Sequence, residues 1–131
     1  MRKILFIILL IIIGVVVFQY FSIEEKNPVI SVDKSSYDFG DIGQDKVETE
    51  FMITNNGNGI LEIENVATSC GCTKGDVEKS RLLEGESTIL KVSFDPKAMG
   101  DLHGKVYREV YIQSNDKNNP ETIIKVYANV L

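Results

Sequence analysis

The chain holds a single histidine, His103, and only two cysteines, Cys70 and Cys72. One imidazole leaves little material for a hydrolytic triad, and no G-x-S-x-G, Walker loop or H-E-x-x-H occurs, so a hydrolase is disfavoured and no enzymatic activity is expected. A closed zinc site takes four Cys or His ligands, one more than the chain owns. Zinc would need carboxylates or a second molecule. After Pro28 no window shows the 3.6-residue apolar period of a helix. Basic residues are also scarce there: the part beyond position 21 carries all 19 acidic residues and 12 of the 14 basic ones, a formal charge of −7. Such a charge suits neither nucleic acid nor electrostatic adhesion to an anionic surface.

One long hydrophobic run is present. MRKILFIILLIIIGVVVFQYF opens with Arg2 and Lys3 and is unbroken from Ile4 to Phe18. The 18 residues from Ile4 to Phe21 would span about 27 Å as a helix, close to the hydrocarbon thickness of a bilayer. A cleaved signal would show small residues at an A-x-A-like site, whereas Gln19, Tyr20, Phe21, Ser22 and Ile23 follow here. No cysteine stands near for lipid attachment. Cations before the run and none until Lys26 after it predict a cytoplasmic N-terminus and a periplasmic or extracellular remainder. The expected organisation is a signal-anchor or transmembrane segment over 1–23, a polar linker over 24–28, and an exported domain over 29–131.

Within that domain apolar residues recur with period two. Val47, Phe51 and Ile53 alternate with Glu48, Glu50, Met52 and Thr54. Leu61, Ile63 and Val66 follow the turn signal NNGNG, as a hairpin partner or a sheet-crossing one. Leu90, Val92 and Phe94 share a face, as do Val106, Val110 and Ile112, and then Ile124, Val126, Ala128 and Val130. About seven short strands at roughly ten-residue spacing predict an all-β, immunoglobulin-like β-sandwich behind one N-terminal transmembrane helix.

The order of YDFGDI, FMITNNGNGILEI, SCGCT, L-x-E-G-E, FDP and a late QSND followed by proline resembles a bacterial family, domain of unknown function 1573. The resemblance covers nearly all of residues 35–131. It implies an exported immunoglobulin-like sandwich, distantly similar to major-sperm-protein and Hydin-type domains. It implies no established activity.

Cys70 and Cys72 are therefore read from their own chemistry. In an oxidising compartment two close thiols tend to pair. In an extended strand the Cα atoms of residues i and i+2 lie about 6.6 Å apart, at the limit of a disulfide, so the chain must tighten at Gly71. The expectation is that glycine is needed there for a conformation closed to other residues. So small a loop adds little stability, which makes any such bond labile, and changing both cysteines to serine is expected to cost about 1 kcal/mol or less. Soft ligands also suit copper(I), which Cys70, Cys72 and either His103 or Met99 could bind. Plain packing and a loop-tying role for Ser69 and Thr73 remain as the structural readings. The functional expectation is a membrane-tethered module for protein contact or envelope assembly, meeting an envelope protein. The alternative is a thiol-redox or copper- or zinc-handling protein using Cys70 and Cys72.

Overall fold

The computed structural model describes residues 1–21, 25–100 and 102–131. Helix α1 (Arg2–Phe21) has 20 residues and is therefore about 30 Å long. No polar side chain interrupts it between Lys3 and Gln19, and none of its apolar stretch is buried against protein. By length and composition it can cross a bilayer, a character that N-terminal signal sequences share. The expected end of the anchor at 23 and start of the linker at 24 fall among residues 22–24, outside the described residues.

Nine strands follow among the described residues: β1 (Ile30–Val32), β2 (Ser36–Ile42), β3 (Val47–Asn55), β4 (Leu61–Thr68), β5 (Thr73–Val77), β6 (Arg81–Leu82), β7 (Ser87–Phe94), β8 (Gly104–Ser114) and β9 (Glu121–Val130). They form two sheets, ordered β1-β3-β7-β5 and β2-β9-β8-β4-β6. All pairings are antiparallel except β2 with β9, because the chain leaves the first sheet after β1 and joins the second alongside its last strand. The register of β2 slips between Asp38 and Asp41. Gly40 supplies that bulge with φ +70°, a left-handed conformation open to a residue without Cβ.

The alternation read from sequence becomes the core. Phe51, Ile53, Leu61, Ile63, Leu90, Val92, Val110, Ile112, Ile124 and Val126 make one buried cluster between the sheets. At one end Ile42, Cys72, Phe94, Ala128 and Val130 make a second. A 3-10 turn, Pro96–Met99, follows β7, with Asp95 Oδ1 accepting from Lys97 N at 3.0 Å.

Two strands exceed the seven expected. Thr73–Val77 reads TKGDV and Arg81–Leu82 is two residues long, so neither carries alternation. Both are strands by virtue of their partners, β7 and β4. NNGNG does not close a hairpin: β3 pairs with β1 and β7 while β4 pairs with β6 and β8, so the turn carries the chain from one sheet to the other.

Polar groups hold the start of the domain. Asp116, buried, accepts hydrogen bonds from Ile30 N at 3.0 Å, Asn118 N at 2.9 Å and Asn119 N at 3.2 Å. Burial pushes its carboxyl upward, yet these backbone donors outweigh it and hold the group below its ordinary value.

Candidate functional site

Cys70, Gly71 and Cys72 form the turn between β4 and β5. The turn is tied down on several sides. Ser69 exchanges two bonds with Glu109 of β8, N to carbonyl oxygen at 2.9 Å and Oγ from Glu109 N at 3.0 Å. Thr73 N donates to Cys70 O at 3.3 Å, and Asp95 N donates to Cys72 O at 2.8 Å. The Thr68 hydroxyl lies 2.9 Å from the carbonyls of Cys70 and Thr73. The Thr68 and Ser69 side chains thus satisfy backbone groups that a bend leaves without sheet partners, whereas the Thr73 hydroxyl, expected to do the same, lies 3.7 Å from the sulfurs of Cys70 and Cys72 instead.

Cys70 and Cys72 are joined in a disulfide, with Cα atoms 5.3 Å apart. The chain has tightened from the extended spacing, but Gly71 does not do so by a left-handed φ, and a Cβ built on it would meet nothing within 4 Å. The expectation that Gly71 is conformationally required is corrected. The contraction comes from the turn bonds around it, which any small residue can accommodate.

The two sulfurs sit in different surroundings. Cys70 is half-buried and borders an open groove lined also by Ser69, Met99, Lys105, Tyr107 and Arg108. Cys72 is 2% exposed and packs with Ile42, Phe94, Ala128 and Val130. The expectation for the double serine change counts loop closure alone, and the burial of Cys72 adds a packing cost to it. Cys70→Ser with Cys72→Ser breaks the bond and removes a sulfur packed with Ile42, Phe94, Ala128 and Val130, and urea denaturation of the full chain should register a loss of about 2–3 kcal/mol.

Arg108 completes the site. Its Nε donates to Cys72 Sγ at 3.1 Å, its Nη1 donates to the Tyr107 carbonyl at 2.7 Å, and its guanidinium lies 5.8 Å from the Phe94 ring centroid. Sequence reading passed over it. The signal was its register: in KVYREVYIQS the apolar inward positions are Val106, Val110 and Ile112, and Arg108 interrupts that series between Val106 and Val110.

The residues expected to join the cysteines are divided. Met99 borders the same groove as Cys70, whereas His103 is exposed just before β8 and is not among the groove's lining residues. Among the described residues no group of three or more His, Cys, Asp or Glu is placed to hold a metal. Both sulfurs are engaged with each other, so copper ligation by them would require prior reduction.

On the outer face of the same strands, Tyr107 and Tyr127 stand opposite each other with ring centroids 6.1 Å apart. Tyr111 donates its hydroxyl to Glu109 Oε2 at 2.6 Å, and Lys125 Nζ lies 3.3 Å from Glu109 Oε1. These partners hold the Glu109 carboxyl below its ordinary value, and the Tyr111 hydroxyl is pushed up by the same carboxylate.

Residues 30–130 match a family model described as "Protein of unknown function (DUF1573)". No curated protein matches the chain. Among solved structures, a protein of unknown function from Porphyromonas gingivalis W83 is similar at TM-score 0.73 and 24% identity, over 79% of this chain and 47% of that one. The chain thus spans about half of that relative. The YadV chaperone is similar at TM-score 0.59 and 12% identity, over 77% of this chain and 51% of that one. A PapD-like domain of human CEP192 is similar at TM-score 0.57 and 8% identity, over 78% of this chain and 84% of that one. These likenesses establish an immunoglobulin-like, PapD-like fold, and a fold carries no activity with it.

Proposed function

The chain belongs to the DUF1573 family of proteins of unknown function, and from that premise we propose that it is a membrane-tethered module whose exported immunoglobulin-like domain docks another envelope protein. The observation that carries the reading is the outer face of β8 and β9. There Tyr107, Tyr127 and Ile123 are 56%, 39% and 44% exposed on adjacent strands. Tyrosines offer large amphipathic contact area at low entropic cost and are enriched at protein interfaces. The sheet beneath leaves no buried side-chain polar atom without a partner among the described residues. Helix α1 supports the tether, and the Cys70–Cys72 disulfide supports an oxidising compartment.

A photo-crosslinking residue at Tyr107 or Tyr127, in intact cells, should yield a discrete protein adduct in the membrane fraction. The same residue at Met52, which is 45% exposed on the other sheet, should not. Tyr107→Ala combined with Tyr127→Ala should cut capture of that partner at least tenfold while costing only about 1 kcal/mol of stability. Protease added outside spheroplasts should digest the domain and leave a membrane-bound stub. Equal crosslinking at all three positions, or protection of the domain, sinks the reading.

A further inference from the structure

We propose that the Cys70–Cys72 disulfide is a thiol–disulfide exchange site for a dithiol substrate, in which Cys70 is the attacked sulfur and Cys72, held by Arg108, is the leaving sulfur. The proposal stands apart from the docking reading, since it needs no envelope partner. Three observations carry it.

Access comes first. An incoming thiolate must approach one sulfur along the S–S axis, and only Cys70 borders the open groove, while Cys72 is 2% exposed in an apolar cluster. The burial of Cys72 does not oppose exchange, because the leaving sulfur need not be reached from solvent. It selects which sulfur is attacked.

Charge comes second. A neutral disulfide gains little from a guanidinium at 3.1 Å, whereas a thiolate at the same place gains a charge-assisted hydrogen bond in partly desolvated surroundings. Arg108 is already oriented by the Tyr107 carbonyl and the Phe94 ring, so little reorganisation is needed as charge arrives. On the other sulfur, Cys72 N donates to Cys70 Sγ at 3.2 Å. Each sulfur thus has a donor for the negative charge that exchange creates.

Loop size comes third. The bond joins residues separated by two positions, so it restrains the unfolded chain little and holds the fold weakly. A bond that is neither needed as a staple nor shielded on one side is suited to being opened.

The steps balance as follows. A substrate thiolate attacks Cys70 Sγ, a mixed disulfide forms, the Cys70–Cys72 bond breaks, and its electron pair passes to Cys72 Sγ beside Arg108. The second thiolate of the substrate then attacks the substrate sulfur of that mixed disulfide and expels Cys70 as thiolate. The substrate leaves as a disulfide. Two electrons have passed to Cys70 and Cys72, and the two protons lost by the substrate thiols match the two that the reduced pair can take up.

The test uses the full chain in detergent micelles with glutathione as the probe thiol, and dithiothreitol as the probe dithiol. In glutathione redox buffers the disulfide should equilibrate with its reduced form, read by the mass of alkylated protein. Arg108→Met should make the bond harder to reduce by at least tenfold in the equilibrium constant, about 30 mV for a two-electron couple, and should slow reduction by dithiothreitol about as much. Arg108→Lys, which keeps a cation, should recover part of both. Alkylation of Cys70 in Cys72→Ala should run at least a hundredfold faster than alkylation of Cys72 in Cys70→Ala. Circular dichroism of each variant separates loss of fold from loss of exchange. Failure of every glutathione ratio to reduce the natural protein, equal alkylation of the two cysteines, or no response to Arg108→Met in a folded chain would overturn the assignment.

Discussion

Asn55→Ala should cost about 3–5 kcal/mol in urea denaturation of the full chain, enough to leave much of a domain of ordinary marginal stability unfolded. The side chain of Asn55 is fully buried at the end of β3. Its Oδ1 accepts from Val29 N at 3.2 Å and Gly57 N at 3.0 Å, and its Nδ2 donates to Gly59 O at 2.7 Å and Leu82 O at 3.1 Å. One amide therefore connects the entry to β1, the NNGNG turn and β6. Alanine removes all four bonds at once and takes the Asn55 partner from two N–H groups and two carbonyls. Water cannot readily replace the amide where the surrounding turn is closed. Asn55→Asp separates the roles: it keeps both acceptor bonds but turns two donors into an anion facing two carbonyl oxygens, so it should be at least as costly at neutral pH. A loss below about 1 kcal/mol for alanine would show that the turn relaxes freely and that this network is not what holds the sheet crossing.

Gly57→Ala should destabilise by about 2–4 kcal/mol and, unlike the asparagine change, should do so mainly by loosening the segment that leads into the domain. A Cβ at Gly57 would land against the Asn27 carbonyl oxygen, 2.5 Å from Val29 N and 2.8 Å from the Pro28 carbonyl carbon. All three are backbone atoms and none can rotate aside. The segment would have to move as a whole, breaking Gly59 N to Asn27 O at 3.1 Å and Asn56 N to Val29 O at 2.8 Å. Hydrogen exchange should then show protection falling at residues 27–32 before it falls in β8 and β9. Gly71→Ala is the control: a Cβ there meets nothing within 4 Å, so its stability should stay within about 0.5 kcal/mol of the natural chain. Equal losses at both glycines would mean that backbone entropy rather than close approach sets the cost.

The two loops these changes probe mark how far the sequence could be read. NNGNG was legible as a turn, since asparagine and glycine relieve tight backbone, but nothing local distinguishes a hairpin from a crossing between sheets. The difference lies in what Asn55 binds, and two of its four partners, Val29 and Leu82, are more than 25 residues away. Likewise TKGDV is not a strand by composition. It becomes one because β7 offers an unpaired edge from Leu90 to Phe94. In SCGCT the pairing of the thiols was an open alternative, and the role given to Gly71 did not hold because neighbouring hydrogen bonds, not a special φ, contract the turn.

What the sequence determined by itself is whatever depends on spacing along one segment. An apolar run from Ile4 to Phe18 makes a helix long enough to cross a bilayer, and period-two alternation in the strands sorts Phe51, Ile53, Leu90, Val92, Ile124 and Val126 inward, because side chains on a strand point to opposite faces in turn. Only the tertiary structure decided which strands pair, that β2 runs parallel to β9, and that Arg108 of β8 meets Cys72 across 36 positions of chain. Those contacts depend on how sheets stack and where a charged side chain at an inward register can find a polar partner. A partly buried charge is partnered by whatever the fold brings near it, and no local pattern names that neighbour.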